Sequence, residues 1–130
     1  MIALDASPLI GLLEPNDLHH AAATALLADT TGPLLVHAIT LAEILVAPAR
    51  HGREAAVAAD LAAIGVSVAD LGADEALDMA RLRARHGLKM PDICALATAI
   101  HTGAPLVTFD VKLATVALRL GVLHPACAKP

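Results

Sequence analysis

The sequence predicts an α/β fold: a three-layer α/β/α sandwich around a central, mostly parallel sheet of four or five strands. Three observations point there. Short β-like runs alternate with longer Ala/Leu-rich stretches of helical character. The β-like runs are apolar at successive positions, as strands covered on both faces must be. Gly and Pro mark the joins, at Gly32–Pro33, Gly65, Gly72, Gly87, Gly103, Pro105 and Gly121. At 130 residues and 57% hydrophobic content, the chain is long and apolar enough for one domain with its own core. The expected domain spans residues 1–125, with 126–130 as a C-terminal tail; the last stretch, "HPACAKP", reads as frayed.

Taken in order, the first strand is "IAL" (Ile2–Leu4), followed by a helix over Pro8–Leu13 and another over Leu18–Asp29. A second strand is expected in "PLLVHA" (Pro33–Ala38), then helices over Leu41–Ala49 and Arg53–Ile64. "GVSVAD" (Gly65–Asp70) supplies a third strand, and Asp74–His86 and Pro91–His101 two more helices. Pro91 suits a first helical turn, where its missing N–H costs nothing. "PLVTF" (Pro105–Phe109) is the fourth strand, Val111–Leu120 the last helix, and "GVL" (Gly121–Leu123) a candidate fifth strand. Gly32, Gly65, Gly103 and Gly121 stand where helix C-caps are expected. With Phe109 as the one aromatic, the core must be built from Leu, Ile, Val and Ala.

Composition narrows the function classes. No apolar run approaches the roughly 18 residues of a membrane span. The opening "MIALDASPLI" lacks a basic region and is interrupted by Asp5, unlike a signal peptide. Cys94 and Cys127 form no CxxC pair, which suggests free thiols in a reducing cytoplasm. A formal net charge of -4 argues against a general nucleic-acid binder, although an average can hide an acidic pocket with a basic rim.

In open parallel sheets, function gathers at the carboxyl ends of the strands. Asp5 ends the first strand, Glu43 follows the second, and Asp110 ends "LVTF". Asp92 opens the helix that leads back into that last strand, so a crossover returns it to the same edge. Each acid has an ordinary explanation. Asp5 could cap the turn at Ser7–Pro8, and Asp110 the helix after it. Thr40 and Glu43 match the S/T-x-x-E capping box. Asp92 suits a first-turn dipole. Caps, however, accept Ser, Thr or Asn equally well, whereas here four acids meet one edge beside apolar sequence that would partly bury Asp5, Asp92 and Asp110. Two carboxylates about 5 Å apart repel by roughly 3 kcal/mol at an effective dielectric near 20. A hard divalent cation, Mg²⁺ or Mn²⁺, relieves that repulsion through oxygen ligands.

"MIALDASPLI", Glu43 in "ITLAEILVAPAR", "LKMPDICALATAI" and "LVTFDVKL" together resemble the PIN-domain family, and within it the VapC-type toxins of bacterial toxin–antitoxin pairs. The likeness covers nearly the whole chain. It implies a PIN-like fold and a cytoplasmic, Mg²⁺-dependent endoribonuclease (Mn²⁺ as the alternative ion), with RNA as substrate, a cognate antitoxin as partner and a homodimer as assembly. It carries over Asp5, Glu43, Asp92 and Asp110 as catalytic and metal-binding residues. Asp5 and Asp92 would bind the metal directly or through water, with Glu43 and Asp110 completing the shell or orienting the attacking water. Ser7 and Thr108 match supporting hydroxyl positions. Cys94 departs from the family's pattern, standing where a small apolar residue is more usual.

The stretch "RLRARHGLK" (Arg81–Lys89) and Lys112 suggest a basic rim, with Arg81, Arg85, Lys89 and Lys112 as RNA-binding candidates. The competing reading is a solvated helix face in which Asp78 pairs with Arg81. The histidines show no HExxH spacing, so no zinc site is expected. A phosphatase or receiver reading fails because Ser7 replaces the second Asp of one pattern and the acidic pair of the other is missing. The remaining alternative is a PIN-fold binding module with little nuclease activity, acting through its protein partner, with the weakly charged Leu18–Leu27 stretch as a docking surface.

Overall fold

A computed structural model of the chain describes residues 1–128. Its sheet has four parallel strands in the order β3-β2-β1-β4. They are β1 (Ile2–Leu4), β2 (Leu34–Val36), β3 (Val66–Val68) and β4 (Leu106–Val107). Each lies within the apolar run expected to form it. The candidate fifth strand is reduced to one parallel bridge, Leu106 to Leu123. The helices are α1 (Ala6–Leu13), α2 (His20–Ala28), α3 (Ala38–Ala49), α4 (Glu54–Ala63), α5 (Glu75–His86), α6 (Met90–Thr102) and α7 (Val111–Arg119).

Strand alternation divides the core in two. Ile2, Leu4, Leu34, Val36 and Val107 point to one face and pack with Leu9, Ile44 and Leu61 from α1, α3 and α4. Ala3 and Leu106 point to the other and meet Ile93, Leu96, Ala99, Leu113 and Val116 from α6 and α7. Two apolar faces with helices on both give the expected sandwich. Helix α6 is buried continuously from Ile93 to Ala99.

Three local expectations need correction. Helix α3 begins at Ala38, earlier than Leu41, because His37 rather than Thr40 is its N-cap: the His37 ring accepts from the Ile39 N–H at 3.0 Å. Thr40 therefore lies inside the helix, buried, and its hydroxyl has no hydrogen-bond partner, so there is no Thr40–Glu43 capping box. Helix α2 starts at His20, leaving Leu18 90% exposed in the preceding loop. In the expected frayed tail, Pro125–Cys127 instead form a 3-10 turn, and Cys127 packs against the core. Residues 129 and 130 of that tail lie outside the described residues.

The sheet order places the functional edge. From β1 the order runs to β2 and β3 on one side and to β4 on the other. The order therefore reverses between β1 and β4, and ligand sites of open α/β sheets form in the crevice at such a point. Asp5 follows β1, and Thr108 and Asp110 follow β4, so all three stand at that crevice.

Candidate active site

Asp5 occupies the N-cap position of α1, yet its side chain makes no capping bond. It is buried, only 7% exposed. Its carboxylate serves a tertiary network instead. Thr108 Oγ1 donates to Asp5 Oδ2 at 2.8 Å, and Ser7 Oγ donates to the same oxygen at 3.3 Å. The hydroxyls are themselves fixed from β4, since the Phe109 N–H donates to Ser7 Oγ at 2.9 Å and the Asp110 N–H to Thr108 Oγ1 at 3.1 Å. The Asp5 N–H donates to the Val107 carbonyl at 3.1 Å. Alternation explains the meeting: Ala3 and Leu106 share the α6 face, so Asp5 and Thr108, each two residues on, project to it as well.

Asp92 reaches this place from the first turn of α6, behind Pro91. It is half-buried, whereas Asp110 is exposed, contrary to the expectation of partial burial for both. Asp110 does cap its helix, with Oδ1 accepting from the Leu113 N–H at 2.8 Å. The three aspartates act on one another. Burial raises the Asp5 carboxyl above its ordinary range; bonds from Thr108, the Ala6 N–H and Ser7 oppose this, and the Asp110 charge adds to it. Asp92 is raised first by burial and then by the charges of Asp110 and Asp5.

Glu43 is exposed on α3, and its charge reaches Cys94, two residues past Asp92 on α6. Burial first, then Glu43 and Glu75, push the Cys94 thiol up to about 11, so it remains a neutral thiol at neutral pH. Both cysteines are free. Among the expected basic residues, Lys89 and Lys112 lie close enough for their charges to lower the Asp92 carboxyl. Arg81 and Arg85 line a groove with Ala97, Ile100 and His101 in the second half of α6. Those positions are five or more residues past Asp92, about 7 Å or more along the helix axis at 1.5 Å per residue. Arg81 also pairs with Asp78 at 3.6 Å.

Two features at this edge were missed by sequence reasoning. Since His37 Nδ1 serves as the α3 cap acceptor, Nε2 carries the proton and donates to Glu75 Oε1, tying the end of β2 to α5. His19, from the loop before α2, stacks on Phe109 with ring centroids 4.5 Å apart. Neither pairing has a sequence-spacing signal, because the partners lie far apart along the chain.

The donor set at the crevice consists of oxygens, the chemistry preferred by hard divalent cations. Among the described residues, no group of three or more His, Cys, Asp or Glu side chains is set closely enough to hold a metal ion as it stands. The fit therefore rests on the donor atoms and on the mutual repulsion of Asp5, Asp92 and Asp110. The cap gives a test that separates structure from chemistry. Asp110→Asn keeps an N-cap acceptor and is expected to leave stability within a few tenths of a kcal/mol, whereas Asp110→Ala is expected to cost about 1 kcal/mol. Both are expected to lower activity alike, as measured by urea unfolding beside cleavage rates.

A family model for the PIN domain matches residues 2–118. The chain belongs to the PIN-domain family. No curated protein matches it. Solved structures share the fold, among them the following two. One, a toxin–antitoxin complex from Klebsiella pneumoniae, aligns at TM-score 0.73 and 24% identity, covering 86% of this chain and 88% of that one. The other, Mycobacterium tuberculosis VapC20, described as a sarcin–ricin loop cleaving toxin, aligns at TM-score 0.72 and 23% identity, covering 89% and 95%. The acidic crevice described above thus lies in a PIN domain, and no helix among the described residues is long and apolar enough to cross a membrane.

Proposed function

We propose that this PIN domain is a divalent-metal-dependent endoribonuclease of the VapC toxin type, acting on RNA in the cytoplasm as a homodimer and restrained by a cognate antitoxin. One observation carries the reading: Asp5, buried at the switch point of the sheet and held by two hydroxyls, shares its electrostatic field with Asp92 and Asp110. The toxin identities of the two structural neighbours support it.

In this reading Asp5 and Asp92 hold the ion, Mg²⁺ or Mn²⁺, and Asp110 and Glu43 complete its surroundings or orient the attacking water. When bound, such an ion polarises the phosphate and makes water nucleophilic at neutral pH. The protein's own task is to fix the carboxylates. Thr108 and Ser7 hold one Asp5 oxygen, so the other need not rotate to find a partner. The packed body of α6 fixes the backbone that carries Asp92. Lys89 and Lys112 meet the RNA backbone beside the acids; Arg81 and Arg85, turned to another groove, are left out of this path. A basic side chain of an antitoxin entering the crevice would pair with the aspartates and exclude the ion.

The test is cleavage of total cellular RNA. With Mg²⁺ or Mn²⁺ present, discrete fragments are expected, and a chelator should abolish them. Cleavage unaffected by the chelator would rule out the metal-dependent reading, and mapped 5′ ends would name the target.

A further inference from the structure

The chain's single aromatic residue, Phe109, lies between Thr108 and Asp110, next to the acidic crevice. Its ring stacks on His19 with an interplanar angle of 18°. Both rings are half-buried, and with Thr108 and Asp110 they line one cleft of about 460 Å³. That volume lies within the range of small-ligand sites. The same cleft presents Val111, 81% exposed, and Leu118, 58% exposed, as an apolar wall.

The two rings are held from behind. The His19 N–H donates to Asp17 Oδ1 at 2.8 Å, and the His19 carbonyl accepts from the Ala23 N–H at 2.8 Å. Gly11 lets α1 approach this turn closely: a Cβ there would stand 3.2 Å from the His19 carbonyl oxygen and 3.3 Å from Ala23 Cβ. Phe109 is fixed through its N–H bond to Ser7, the hydroxyl that also donates to Asp5. One hydrogen-bonded unit therefore sets both the ring position and the acid position. A latch between two loops would be served by burying the rings, whereas here they border an open cleft that Asp110 also lines.

We propose that Phe109 and His19 form a stacking platform for one unpaired nucleobase of a single-stranded RNA, next to the phosphate at the aspartates. The ligand class, RNA, rests on the nuclease reading above; the platform rests on the ring geometry. Single-stranded RNA is bound by stacking its splayed bases on aromatic and His rings. Such a contact holds one base in place beside the cleaved bond and adds a contribution to binding that does not come from charge.

The experiment uses the full chain in chelator, which the nuclease reading expects to stop cleavage, and short single-stranded RNAs with 2-aminopurine placed at each position in turn. Its fluorescence falls when it stacks. Quenching is expected at one position. Phe109→Leu and His19→Ser should abolish it and weaken binding about tenfold, whereas Phe109→Trp should retain it. An RNA abasic at that position should bind wild type and Phe109→Leu alike. The platform is overturned if no position is quenched, if Phe109→Leu quenches like wild type, or if Phe109→Leu loses the abasic RNA equally, which would mark a structural role. Metal-dependent cleavage without quenching would overturn the platform and leave the nuclease reading standing. Quenching without cleavage in any metal would do the reverse.

Discussion

Asp5→Asn is expected to lower RNA cleavage about a thousandfold, the size expected when several kcal/mol of metal-borne charge stabilisation is lost at about 1.4 kcal/mol per decade. The same substitution should stabilise the metal-free protein at neutral pH. Burial raises the Asp5 carboxyl above its ordinary value of 3.8, outweighing the bonds from Thr108, Ala6 and Ser7. A group whose folded pKa is raised contributes stability that is complete below the unfolded pKa and is lost as pH rises through the folded value. Ionised Asp5 therefore works against folding at neutral pH. Asparagine has no charge to desolvate and can still accept from both hydroxyls. Urea unfolding in chelator should show the variant more stable than wild type at pH 7, with the gap closing as pH falls towards 3.8 and below. Such a gain in stability with a loss of activity is the pattern of a site strained for function. Equal cleavage by wild type and variant would contradict the role given to Asp5.

The second large effect falls on stability. Leu96→Ala is expected to cost about 2–5 kcal/mol in urea unfolding, through lost burial and the cavity left behind. Leu96 is fully buried in the middle of α6, packed with Ile93, Ala99, Leu106 and Leu113. The loss is large beside a typical stability of about 5–15 kcal/mol. With aromatics nearly absent, few large neighbours can lean in to fill the space. Leu77→Ala, on exposed α5 surface at 56% exposure, should change stability by about 0.5 kcal/mol or less. A Leu96→Ala protein as stable as wild type would show that α6 is not the structural centre on which Asp92 depends.

Much of the fold was legible because its signals are local. Apolar runs bounded by Gly and Pro located all four strands, and the Ala/Leu stretches located the helices to within a few residues. The largest boundary error, at the start of α3, arose because a tertiary choice overrode a local one. His37 serves the cap and Glu75 together, so the apparent Thr40–Glu43 box was unused. The meeting of Asp5, Asp92 and Asp110 was also legible, since parallel strands bring their carboxyl ends to one edge. Ser7 lies two residues from Asp5, but Thr108 as its partner could be expected from the family resemblance alone, since spacing could not pair residues a hundred positions apart. The place of Arg81 and Arg85 in a groove beside the second half of α6, and the His19–Phe109 stack, depend on how α5 and the loop before α2 are oriented. No periodicity in one helix encodes its rotation against another.

The central claim, that these aspartates together bind a divalent cation, is tested most directly by titrating the metal-free protein with Mn²⁺ and following bound ions by electron paramagnetic resonance. Wild type should bind Mn²⁺ and be stabilised by it, with Mg²⁺ competing, while Asp5→Asn and Asp92→Asn should each lose binding although both remain folded. Retention of the same Mn²⁺ binding by both variants, or no binding by the wild type, would contradict the claim.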